Sequence, residues 1–120
     1  MKRLDGRTIL VAEDEPLVGL DIADTLQAAG AKIVRALKLE DAVNLARTAE
    51  LSAAILDINL VGEDCLPVCQ LLADRNIPFV FNTGYSERPV LEKWPDAPHL
   101  KKPSTPKEIV KAVASVLKDS

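Results

Sequence analysis

The stretch "SAAILDINLVGED", residues 52–64, decides the fold, because an uninterrupted apolar run, "AAIL" (53–56), ends directly on a carboxylate, Asp57. Four consecutive apolar residues without alternation describe a strand covered on both faces, as in a parallel sheet. A charge at the end of such a strand is costly to bury unless something offsets it. Working outward, three more short apolar runs read as strands, most of the set buried on both faces: "TILVA" (8–12), "AKIV" (31–34) and "FVF" (79–81), with a brief fifth strand expected near His99 and Leu100.

Between these runs the period changes from strand-like to helical. Val18, Ile22, Ala23 and Leu26 mark a helix that Pro16 starts and Gly30 ends. Leu39, Ala42, Val43 and Ala46 mark a second, and residues 64 to 75 a third, with Pro67 tolerable only in its first turn. The last helix has the clearest start, with Thr105 as N-cap, Pro106 as first helical residue and Glu108 as reciprocal partner of a capping box. Pro89, Pro95 and Pro98 confine any helix before the fifth strand to a short piece around 89 to 94. Repeated βα alternation predicts an α/β fold, a doubly wound parallel five-stranded sheet, because parallel crossovers are long and right-handed.

A chain of 120 residues fits one domain, residues 1–120, and leaves no room for a separate output module. With 48% hydrophobic residues and a net charge of -3 it is expected to be globular, with no electrostatic footprint for nucleic acid and no membrane-spanning run. The N-terminus carries acids where a signal peptide needs an apolar stretch, so the protein is expected to be cytoplasmic; its start at Met1 leans toward a stand-alone protein over a receiver cut from a hybrid kinase, and both readings stay open. Cys65 and Cys69 share the apolar face of the third helix with Val68 and Leu72 and are expected to pack as small hydrophobes. Trp94 is read as packing.

Ligands in such sheets sit beyond the carboxyl ends of the strands, where the strand order reverses. Glu13 and Asp14 follow the first strand, Asp57 and Asn59 the third, Thr83 and Gly84 the fourth, and Lys102 the fifth. If the first and third strands are neighbours, Glu13, Asp14 and Asp57 converge. Two carboxylates ~4 Å apart repel by about 4 kcal/mol near a protein surface, so the cluster calls for protons or a cation. Hard oxygen ligands of this kind suit Mg2+. A metal pocket, a carboxylate nucleophile, the Thr83 hydroxyl and the Lys102 ammonium are the parts needed to move a phosphoryl group onto an aspartate.

The motifs "VAEDE" (11–15), "ILDINL" (55–60), "NTGY" (82–85) and "KKP" (101–103), in this order along essentially the whole chain, resemble those of two-component response-regulator receiver domains. The resemblance implies the flavodoxin-like (βα)5 fold with strand order 2-1-3-4-5, here with a shortened fourth helix. It implies Asp57 as the phosphoacceptor. Asp14 would bind Mg2+ directly, Glu13 through water, and the backbone carbonyl of Asn59 would complete the set. Thr83 would be the switch hydroxyl, Lys102 the lysine that pairs with the phosphoryl oxygens, and the Lys102–Pro103 bond cis. His99 stands where relatives carry an aromatic switch residue. The phosphodonor would be a histidine kinase or histidine phosphotransfer protein, the output an unidentified downstream protein, and the only activities Mg2+-dependent self-phosphorylation and weak autophosphatase action. "FNTGY" and the short proline-rich segment resemble a stand-alone subgroup found mainly in alphaproteobacteria.

Two other readings compete. A receiver-like interaction module independent of phosphorylation would bind no Mg2+. A dehalogenase-type aspartyl phosphatase would need a second aspartate at position 59, where this chain has Asn59, and room for a cap domain.

Overall fold

The computed structural model describes residues 2–60, 63–83 and 92–117, with only the backbone at 59, 60, 63, 64 and 83. Five parallel strands form the central sheet: β1 (Thr8–Ala12), β2 (Lys32–Ala36), β3 (Ala53–Leu56), β6 (Phe79–Thr83) and β7 (His99–Lys101). Their order is β2-β1-β3-β6-β7, so counting parallel strands alone it is 2-1-3-4-5. The helices are α1 (Pro16–Ala28), α2 (Leu39–Thr48), α3 (Leu66–Asp74) and α4 (Pro106–Val116). Of the short helix expected at 89 to 94, Glu92 and Lys93 are helical and Trp94 is a bend, while 89 to 91 lie outside the described residues.

Burial follows from the strand patterns. All four residues of β3 are buried, as are the last four of β1. One face of the sheet, with Leu10, Ala12, Leu56 and Phe81, packs against Ala42 and Ala46 of α2 and Val68, Cys69 and Leu72 of α3. The other, with Ile9, Val11 and Ile55, packs against Ile22 and Leu26 of α1 and Ile109 and Val113 of α4. Both cysteines are fully buried thiols whose sulfurs lie 3.8 Å apart, in keeping with small packing residues. Trp94 stacks edge-on against Phe79, ring centroids 5.4 Å apart, at the margin of the first core.

Helix ends are set by local chemistry. The N–H groups of Gly30 and Ala31 reach back to the carbonyls of Gln27 and Leu26, closing α1 in a Schellman arrangement that needs the positive φ of Gly30. α3 ends the same way with an asparagine, Asn76 (φ 58°), whose N–H and that of Ile77 bond Ala73 and Leu72. The third helix begins at Leu66 rather than 64, because Asn59–Leu60 (β4) and Glu63–Asp64 (β5) pair as a small antiparallel hairpin. Pro67 therefore falls in the first turn. Glu15 is the N-cap of α1 but makes no capping bond.

The Thr105 hydroxyl accepts from the Glu108 N–H at 3.2 Å and the Glu108 carboxylate accepts from the Thr105 N–H at 2.9 Å, so the capping box is complete. These bonds hold the Glu108 carboxyl below its usual range, the backbone bond most of all. Thr105→Ala is expected to lower stability by about 1 kcal/mol in urea unfolding at pH 7. The support from ionised Glu108 is present above the ordinary carboxylate range and lost as pH falls through the lowered value. Glu108→Gln should therefore flatten the acid limb of the stability curve, and an unchanged limb would contradict the capping role.

Candidate functional site at the carboxyl end of the sheet

The parallel ladder carries the site residues to one edge. The Glu13 N–H bonds the Ala36 carbonyl and the Asp57 N–H bonds the Ala12 carbonyl, which extends the sheet one residue past β1 and β3. Glu13, Asp14 and Asp57 each offer a carboxylate oxygen, and these lie within 4.8 Å of one another. Glu13 is 2% and Asp57 8% exposed, so two of the three charges are nearly cut off from water. Asp14 is partly exposed.

Lys102 enters from the far side of the sheet. Its Nζ donates to Glu13 Oε1 and Oε2, both at 2.9 Å, and to Asp57 Oδ2 at 3.3 Å. One ammonium faces three carboxylates, which leaves a surplus of two negative charges. Glu13 is pushed up from its ordinary 4.5 to about 7. Burial is the largest cause; the Lys102 hydrogen bond opposes it, and the Asp57 charge adds to it. Lys102 is itself raised, since its bond to Glu13 and the Asp57 charge outweigh the burial that would lower it.

The backbone of Thr83 pairs with Lys101 at the end of β6, and its hydroxyl lies outside the described residues, as do Gly84 and Tyr85. Asn59 opens the hairpin two residues after Asp57. His99 is exposed on the edge strand β7. The Lys102–Pro103 bond is cis. One residue that the sequence reading passed over is Asn82, 4% exposed, whose amide Oδ1 has no hydrogen-bond partner among the described residues. The sequence signal was a lone asparagine inside the apolar run "FVFNT".

The sequence profile described as "Response regulator receiver domain" matches residues 9–114. The chain belongs to this family. The receiver domain is 31% identical over 112 residues to "Transcriptional regulatory protein PdtaR" of Mycobacterium tuberculosis, a match covering 89% of this chain and 55% of that protein. It thus spans about half the length of the curated relatives it matches. Among solved structures, SdrG from Sphingomonas melonis Fr1 is 37% identical with TM-score 0.80, covering 97% of this chain and 98% of that one. A response regulator receiver protein from Sinorhizobium medicae WSM419 is 27% identical with TM-score 0.84, covering 94% and 95%.

Receiver domains bind Mg2+ at an acidic pocket, and this chain's donor set fits that ion. The candidate ligands are hard carboxylate oxygens, and a divalent charge cancels the surplus left by three acids and one lysine. Among the described residues, no helix is long and apolar enough to cross a membrane.

Between about pH 4.5 and 7 the ion-free folded chain holds a proton on Glu13 that the unfolded chain has released. The resulting stabilisation is full below this window and is lost as pH rises through it, by about 3 kcal/mol at most. Urea unfolding in chelator at pH 5, 6, 7 and 8 should show wild type losing stability relative to Glu13→Gln across the window. No change relative to that variant would mean Glu13 is ionised throughout.

Proposed function

We propose that this receiver domain accepts a phosphoryl group on Asp57 from the phosphohistidine of a histidine kinase or histidine phosphotransfer protein, and signals or relays through protein–protein contacts. The observation that carries the reading is the convergence of Glu13, Asp14 and Asp57 within 4.8 Å, with the Lys102 ammonium bonded to two of them. In this reading Asp14, Asp57 and the Asn59 carbonyl hold Mg2+ directly and Glu13 holds it through water. When bound, the ion supplies positive charge where the phosphoryl oxygens gather.

An oxygen of the Asp57 carboxylate attacks phosphorus in line as the phosphorus–nitrogen bond of the donor breaks. The electron pair of that bond returns to the donor imidazole, and Asp57 becomes an acyl phosphate. Burial of Asp57 keeps bulk water from competing, and the sheet end holds the carboxylate at a fixed angle, so positioning and electrostatics supply the catalysis. Lys102 and the Thr83 hydroxyl meet the roughly -1.5 to -2 charge, taken by analogy with phosphoserine, that arrives. Movement of Thr83 toward those oxygens, with His99 as the neighbouring switch position, carries the change to the β7 edge. Hydrolysis by water resets the domain.

Incubation with acetyl phosphate and Mg2+ should place one acid-stable, base-labile phosphoryl group on wild type and none on Asp57→Asn. Labelling of that variant at the wild-type level would refute the assignment. Mg2+ at a hundred times its dissociation constant should stabilise wild type by about 2.7 kcal/mol, and Asp14→Ala should lose most of this shift in thermal melts. No shift in wild type would favour a phosphorylation-independent module.

A further inference from the structure

Among the described residues, Asn82 lies at the site edge with a buried polar group that the phosphoacceptor reading does not use. Register fixes its place. Val11 pairs with Ile55 and Ile55 with Val80, so residues two further on, Glu13, Asp57 and Asn82, form one row across the sheet on the face covered by α1 and α4. Asn82 itself pairs with Leu100, two residues before Lys102. Because β6 lies between β3 and β7, the Lys102 side chain must cross the end of β6 to reach Asp57 and Glu13. That crossing is two strand spacings wide, roughly 10 Å. Asn82 is the β6 member of the row it passes.

A buried amide oxygen without a partner costs stability and calls for an explanation. The ammonium of Lys102 has three N–H donors and makes three bonds, two of them to Glu13. Once Glu13 turns to a cation, those two donors lose their acceptor. They need a replacement that lies nearer Asp57 and adds no further negative charge to a site already carrying a surplus. A neutral carboxamide in the same row meets both needs, whereas an aspartate would meet only the first.

We propose that Asn82 is a positioning residue for Lys102: its buried Oδ1 accepts the ammonium when Glu13 is engaged by the divalent ion, and holds it over Asp57 for the incoming phosphoryl group. The inference rests on the phosphoacceptor reading and deepens it.

The test uses Asn82→Leu, which keeps the volume, and Asn82→Ala should the leucine disturb folding, both checked by thermal melts. With 15N-labelled lysine, the Lys102 ammonium signal should be protected from exchange in ion-free wild type and in the variant alike, because Glu13 holds it. In Mg2+ it should stay protected in wild type and be lost in the variant; a merely structural role would change both conditions together. Labelling by acetyl phosphate should slow about tenfold in the variant, as expected for one bond to a charged group. It should not slow further when Asn82→Leu is added to Lys102→Met. Equal labelling rates, loss of the signal in both conditions, or equal slowing in the Lys102→Met background overturns the inference while the phosphoacceptor reading stands. Absence of labelling in wild type itself removes both.

Discussion

The structure depends on one ammonium group reaching two buried carboxylates across the end of a parallel sheet. Without Lys102, Glu13 and Asp57 would be uncompensated charges in a site nearly closed to water, and burying one such charge costs several kcal/mol. With it, the cluster is tolerable but not neutral. Glu13, bonded to the lysine through both oxygens, is still driven toward its protonated form. The imbalance is what makes the site chemically useful: the residual negative charge favours a divalent ion, while the lysine limits the cost of burying the acids.

The topology supplies the convergence at no extra cost in sequence. In a parallel sheet all strands end on the same side, so residues just past β1, β3 and β7 share an edge although they are far apart in the chain. The reversal of order between β1 and β3 opens the crevice there. Helices α1 and α4 cover one face and α2 and α3 the other, so the edge is left as the place where polar groups gather.

Most of this was legible in the sequence because it rests on short-range signals. "AAIL" ending on Asp57, the proline and glycine around α1, and the Thr105–Glu108 box each state an element boundary in local chemistry. The β4–β5 hairpin was not legible, since two-residue strands have no period to detect, and it moved the start of α3 from 64 to 66. Asn76 was missed as a helix stop because its role lies in a left-handed backbone, which asparagine tolerates without advertising. Asn82 was passed over because "FVFNT" reads as an apolar strand running into a motif, and only the register sets its side chain in the acidic row. The individual acids were readable, but the pairing of Lys102 with Glu13 required the three-dimensional crossing of β6.

The Lys102–Glu13 pair joins positions 89 residues apart, from the first strand to the last. A chain emerging from the ribosome therefore presents both anions long before their counter-charge exists. Docking β3 beside β1 brings Asp57 to Glu13 while Lys102 is still unmade or unplaced, so the half-built sheet carries its least balanced charge at its growing edge. Dissolved divalent ions or protons would ease that stage. The finished ion pair thus serves as a completion signal, formed only when the final strand has taken its place.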